Sequence, residues 1–187
     1  QDLRITQIDF LNGRGYKRYR ILENWVISMP FKVPPQDVAL VLGGGALYGI
    51  FQAGALKAVA DYKIPIKKIY GTSIGALNGG AFAAEECNAD FLLQNWFKKV
   101  TKPSDVFQFE DVSRILRMRG KTGSIYKIQP VIKLVNLINL PKLIAQPREF
   151  IAVTTEFTSG KVCYFSTKDP EVAANPVKIA LAILGSC

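Results

Sequence analysis

The chain has no histidine among its 187 residues. A Ser-His-Asp triad made from its own side chains is excluded, so a serine nucleophile would have to give its proton to a carboxylate or a lysine. Cysteine is scarce. Cys87, Cys163 and Cys187 are odd in number and lack C-x-x-C spacing, which argues against a disulfide framework or a zinc site and fits buried thiols in a reducing compartment. No apolar run approaches the ~20 residues needed to cross a bilayer. The opening Gln1-Asp2-Leu3-Arg4 has no signal-peptide apolar stretch, although a chain starting at Gln is expected to have its true start further upstream. The Lys-Ser/Thr pair of a P-loop is missing, and Ala46 breaks a G-x-G-x-x-G match between Gly44 and Gly49, which removes the usual nucleotide signatures.

What is present suits a globular core. Hydrophobic residues make up 49% of the chain and aromatics 11%, too apolar for a disordered tail and enough for one domain. Lys and Arg number 24 against 15 Asp and Glu, a net charge of +9, which favours anionic partners. Residues 1–36 read as an N-terminal arm or peripheral hairpin, with the basic-aromatic run Tyr16-Lys17-Arg18-Tyr19-Arg20. Residues 37–187 read as the catalytic-type domain. Pro30, Pro34 and Pro35 separate the two.

Val38 to Leu42 is a short apolar strand of the buried parallel kind, stopped by Gly43-Gly44-Gly45. Apolar residues at helical spacing run from Gly49 to about Tyr62, and a second strand is expected at Ile69-Tyr70. The nearly all-small run Ile74 to Ala84 reads as a buried helix. Further helices are expected from Asn88 or Asp90 onward, around Val112 to Met118, and from Pro130 to Ile138. Phe150 to Thr155 and Val162 to Phe165 suggest a hairpin, and Asn175-Pro176 starts a helix expected to end at Gly185. Strand, glycine loop, helix, strand, sharp turn, helix is a βαβα unit. It predicts an α/β protein, a three-layer α/β/α sandwich on a mostly parallel sheet.

Gly71-Thr72-Ser73-Ile74-Gly75 is a G-x-S-x-G pentapeptide at the second strand-to-helix turn. In that context it marks Ser73 as a candidate nucleophile on an elbow, with Gly71 and Gly75 letting the backbone bend without a Cβ clash. Ser73 would stand at a helix N-terminus, where unpaired amides and the helix dipole favour developing negative charge. The Gly43-Gly44-Gly45 loop at the end of the neighbouring strand offers further amides for an oxyanion. Losing one such donor typically costs about 2.7–4 kcal/mol of transition-state stabilisation.

The run Asp37 to Gly49, then Ala53-Gly54-Ala55-Leu56-Lys57-Ala58, Ile64-Pro65-Ile66 and Gly71 to Ala76, resembles the patatin-like phospholipases. Thr122-Gly123-Ser124-Ile125-Tyr126 and Gly160 to Phe165 are similar to the middle of bacterial members. The resemblance covers about Asp37 to Cys187 and implies a Ser-Asp dyad acyl hydrolase of phospholipids or related lipids. On that resemblance Ser73 is the nucleophile, Gly43, Gly44 and Gly45 form the oxyanion loop, and no metal or cofactor is required. Tyr48 stands where the family often has Arg or Lys, and Ala46 breaks its longer glycine run. The family's dyad aspartate lies in an Asp-Gly-Gly or Asp-Gly-Ala segment, yet Asp2, Asp9, Asp37, Asp61, Asp90, Asp105, Asp111 and Asp169 are all followed by other residues. The small-residue ending Ala182 to Cys187 is similar to the helix end that precedes that segment. The dyad aspartate is therefore expected beyond Cys187.

The expected partners are a lipid ester and an anionic membrane surface, met by Lys98, Lys99, Arg114, Arg117, Arg119 and Lys121. The expected location is cytoplasmic or peripheral to a membrane, with a secreted bacterial effector as the alternative. A non-catalytic lipid- or protein-binding relative is the second reading, should the aspartate be truly absent. A nucleic-acid binder using Tyr16 to Arg20 has no recognisable RNA or DNA motif behind it.

Overall fold

The computed structural model describes residues 5–12, 15–22, 38–100, 102, 105, 108 and 127–187, with the backbone alone described for 5–12, 15–22, Trp96 and Phe97. The chain divides into two compact units, Gln1–Pro34 and Pro35–Cys187. In the first, β1 (Ile5–Asn12) pairs antiparallel with β2 (Gly15–Leu22), from Ile5 opposite Leu22 to Asn12 opposite Gly15. The run Tyr16 to Arg20 lies on β2.

The second unit is built on a four-stranded sheet in the order β3-β4-β5-β6, where β3 is Val38–Leu42, β4 Ile66–Thr72, β5 Glu149–Thr155 and β6 Val162–Ser166. The first three strands are parallel and β6 is antiparallel to β5. This mostly parallel sheet flanked by helices is the α/β class expected from the sequence. Among the described residues the α-helices are α1 (Gly49–Asp61), α2 (Ile74–Ala84), α3 (Asp90–Lys99), α4 (Gln129–Val135), α5 (Leu140–Ala145), α6 (Pro170–Ala174) and α7 (Val177–Ser186).

Residue size decides where α2 sits. Every residue from Ile74 to Ala84 is buried, and a Cβ on Gly79 would lie 3.1 Å from Ile69 and 3.2 Å from both Leu42 and Phe150. A methyl at this position would press on all three side chains, so glycine lets the helix axis approach the sheet this closely without displacing them. A Cβ on Gly80 would lie 3.1 Å from Ile183 of α7 and 3.4 Å from Phe150, so α2 and α7 share one face of the sheet. Phe82, Phe150, Ile69 and Ile183 are fully buried there, and each such side chain contributes about 1.5–3 kcal/mol by leaving water. On the other face, Lys68 and Glu149 are register partners on β4 and β5 and form an ion pair at 2.9 Å.

Several boundaries differ from the sequence reading. β4 begins at Ile66 rather than Ile69, because Ile66 to Lys68 continue the pairing with β3. The helix expected from Pro130 to Ile138 stops at Val135, and a separate α5 follows, capped by Asn139 Oδ1 accepting the Lys142 amide at 3.0 Å. α6 was not foreseen. It is one short turn capped by Asp169, which accepts the Glu171 amide at 2.8 Å. α7 runs through Gly185 to Ser186 instead of ending at the glycine. Cys87 and Cys163 are half-buried and Cys187 is exposed, so the expectation of buried thiols is corrected; all three are free. Burial still pushes the Cys87 thiol above its usual pKa. The helix expected around Val112 to Met118, with Arg114, Arg117, Arg119 and Lys121, lies outside the described residues.

Candidate active site

β4 ends at Thr72 and α2 begins at Ile74, leaving Ser73 as the single residue of the turn. Its backbone adopts φ 54° and ψ −126°, a conformation that costs a non-glycine residue about 1–3 kcal/mol and persists only where its surroundings impose it. The flanking glycines are not the strained residues. They are required by close approach: a Cβ on Gly71 would fall 2.4 Å from the Gly75 carbonyl oxygen, and one on Gly75 would fall 2.2 Å from that of Leu42. The motif therefore brings the start of α2 against the ends of both β4 and β3, with the bend itself carried by the serine.

The backbone polar atoms of Ser73 are held on both sides. Its carbonyl accepts the amides of Ala76 at 2.8 Å and Leu77 at 3.2 Å. Its own amide donates to Ser186 Oγ of α7 at 2.7 Å, and that hydroxyl donates onward to the Val153 carbonyl of β5 at 2.6 Å. Ile74 and Gly75 supply first-turn amides, which have no acceptor inside the helix.

The Gly43-Gly44-Gly45 loop leads from β3 into a turn of 3-10 helix, Ala46–Tyr48, and then α1. It lies over the elbow. A Cβ on Gly44 would stand 3.4 Å from Ser73 Cβ and 3.9 Å from its Oγ, so a side chain there would pack directly on the serine. The loop is tethered from beneath. Asn78 of α2, with no exposure, donates through its amide nitrogen to the Gly49 carbonyl at 2.9 Å and to Gln52 Oε1 at 3.0 Å. Gln52 in turn donates to the Gly43 carbonyl at 2.8 Å. Because a trans peptide sets C=O and N–H on opposite sides, fixing the Gly43 carbonyl toward α1 turns the Gly44 amide away from that helix.

The structure thus brings together Ser73, Gly44, Gly71 and Gly75, and adds Gln52, Asn78 and Ser186, which the sequence reading did not single out. Asn78 had a signal, as the sole polar side chain between Ile74 and Ala84. Gln52 and Ser186 had none, since their partners lie 9 and 113 residues away in sequence. Among the described aspartates, Asp61 pairs with Lys57 and Asp169 caps α6. A cavity of about 430 Å³ between β5, β6, α6 and α7 is lined by Thr154, Phe165, Val172, Leu181 and Gly185, and none of Ser73, Gly44, Gly71 or Gly75 lines it. Among the described residues there is no cluster of metal-ligating side chains.

A G-x-S-x-G turn beneath a glycine loop, on a mostly parallel sheet, is the arrangement the structure gives these two motifs. The family described as patatin-like phospholipase matches residues 40–187. The chain belongs to this family. A lysophospholipase nte1 of Aspergillus terreus is 52% identical over 50 residues, covering 27% of this chain and 3% of the relative. A lysophospholipase NTE1 of Cryptococcus neoformans is 48% identical over 93 residues, 50% of this chain and 4% of the relative. Patatin-like phospholipase domain-containing protein 7 of Rattus norvegicus is 42% identical over 66 residues, 34% of this chain and 5% of the relative. The chain thus spans only a small fraction of the length of the curated relatives it matches.

Proposed function

We propose that this chain carries the nucleophile and oxyanion loop of a lipid acyl hydrolase acting on phospholipids or lysophospholipids. Ser73 Oγ attacks the ester carbonyl, and the amides of the Gly43-Gly44-Gly45 loop receive the negative charge that develops on its oxygen. The alcohol leaves as the tetrahedral intermediate collapses to an acyl-serine, which water then hydrolyses. An aspartate takes the serine proton and returns it to the leaving oxygen. That aspartate is proposed to be supplied by an Asp-Gly segment outside this stretch of the protein, which makes the dyad Ser-Asp. A carboxylate is a weak base toward serine, so the site must be dry enough to raise its pKa toward neutrality. The fully buried α2, which starts at Ser73, supports such an environment. No cofactor or metal is assigned a part.

The observation that carries this reading is Ser73, held at a positive φ directly under Gly44. The lysophospholipase names of the relatives support the substrate class. Access for a lipid is supported by α1, whose positions Phe51, Ala55 and Ala58 face solvent at helical spacing, as does Tyr62 just past its end. Tyr48 and Phe51 are 73% and 72% exposed, with their rings stacked at 6.1 Å. This aromatic stripe beside the loop is proposed to meet a lipid surface, aided by the net charge of +9. Among the described residues, no helix is long and apolar enough to cross a membrane. The N-terminal unit is proposed to be a separate arm.

Replacing Ser73 by Ala tests the assignment. Turnover of a short-chain nitrophenyl ester and of a lysophospholipid is expected to vanish with the melting temperature unchanged. Retained turnover would remove Ser73 from the chemistry, and an inactive parent protein would favour the non-catalytic lipid-binding reading.

A further inference from the structure

The geometry points to Ser186 as a positioning residue for the nucleophile. The inference rests on the hydrolase reading of Ser73. Ser186 lies at the end of α7, 113 residues from Ser73 in sequence, and its hydroxyl joins three elements: it accepts the Ser73 amide at 2.7 Å and donates to the Val153 carbonyl of β5 at 2.6 Å. With its single proton committed to Val153, the hydroxyl can offer only a lone pair to Ser73. The orientation of the bridge is therefore fixed.

This bridge acts where the backbone is most strained. Ser73 at φ 54° and ψ −126° would relax toward an ordinary conformation if its peptide were free to turn. The carbonyl of Ser73 is bound into the first turn of α2, and Ser186 holds the amide, so the residue is pinned at both ends and Oγ is left free beneath Gly44. The bridge also settles which amides serve the oxyanion. An amide donating to Ser186 is unavailable to substrate, so the Ser73 amide is excluded, and the charge falls to the Gly43 to Gly45 loop and the first-turn amides of α2. No group of Ser186 touches the substrate in this scheme. Its effect passes through the orientation of Ser73.

A hydroxyl that only fills space would be replaceable by any side chain of its size, whereas a bridging hydroxyl would not. In the intact protein that carries this chain, Ser186→Thr keeps the hydroxyl and Ser186→Val has the same shape without it. With a soluble nitrophenyl ester, the Val and Ala variants are expected to lose at least about tenfold in kcat with KM unchanged, in line with the effect of a displaced catalytic group. The Thr variant should stay within about threefold of the parent. Labelling of Ser73 by a fluorophosphonate should slow in the same order. Equal kcat for the Thr and Val variants, or an Ala variant matching the parent, would overturn the inference. Amide hydrogen exchange in the unmutated protein provides a check that needs no variant to fold. Ser73 N–H should be protected, and exchange at the rate of an open loop would overturn the bridge. A Ser73→Ala variant that still turned over ester would instead overturn the hydrolase reading and leave the exchange result to stand on its own.

Discussion

Replacing Gly75 by Ala should disable the site and loosen the fold together, because the added methyl has nowhere to go. Its Cβ would lie 2.2 Å from the Leu42 carbonyl oxygen, 2.6 Å from the Leu42 carbonyl carbon and 2.7 Å from the Gly43 carbonyl oxygen. All three are backbone atoms at the end of β3, so no rotamer change relieves the overlap. The start of α2 and the glycine loop must separate by about 1 Å to restore ordinary contact. Overpacking of this kind costs about 1–3 kcal/mol, and obstruction by backbone puts the expected loss at the upper end. For a domain of this size that corresponds to a fall in Tm of roughly 6–12 °C. The same displacement carries Ser73 away from Gly44, and a shift of about 1 Å can lower kcat roughly 100-fold. Thermal unfolding followed by circular dichroism, with single-turnover hydrolysis of a nitrophenyl ester, reads both effects. Gly54→Ala is the matched control: nothing lies within 4 Å of its added Cβ, and removing a helix-interior glycine should stabilise α1 by about 0.5–1 kcal/mol. A Gly75→Ala protein with parental Tm and turnover would refute the close-approach account of the motif.

Asn78→Ala removes a fully buried amide that donates to the Gly49 carbonyl and leaves Gln52 Oε1 without that donor; a loss of about 1–3 kcal/mol in denaturant unfolding is expected, with lower kcat because a less firmly held Gln52 steadies the Gly43 carbonyl less well. Phe51→Glu should weaken co-sedimentation with phosphatidylserine vesicles and slow hydrolysis of vesicle lipid far more than hydrolysis of a soluble ester; equal loss on both substrates would contradict the docking role of α1. The Glu149 carboxyl is held below its usual pKa by the Ser166 hydroxyl and then by Lys68. A lowered folded-state value means its contribution is present above the unfolded-state pKa and is lost as pH falls through the folded one. The stability difference between the parent and Glu149→Gln should therefore be largest near neutrality and close below about pH 4, and a difference constant with pH would refute it.

Much of this protein was legible in local sequence. The apolar strand Val38 to Leu42 stopped by three glycines, the run of small residues from Ile74 to Ala84 and the G-x-S-x-G between them fix a strand-turn-helix unit by patterns that act over a few residues. The α/β class and the candidate nucleophile follow from those patterns alone. Short elements such as α6 escaped notice because one capped turn leaves too few residues to show a period. β4 was read too short because Lys67 and Lys68 obscure an apolar run, although strand pairing depends on backbone rather than side-chain polarity.

The tertiary structure decided everything that depends on distant residues meeting. The sequence names two glycines beside Ser73 but not why they are needed; the obstruction at Gly75 comes from Leu42 and Gly43, which reach it only when β3 pairs with β4. The loop's tether runs through Gln52 and Asn78 because α1 and α2 pack together, and the amide of Ser73 finds Ser186 because α7 lies beside α2 on the same sheet face. A motif records which residues can take up a strained turn. The hydrogen bonds that hold the turn in place arise from packing, and no short-range pattern in the chain encodes them.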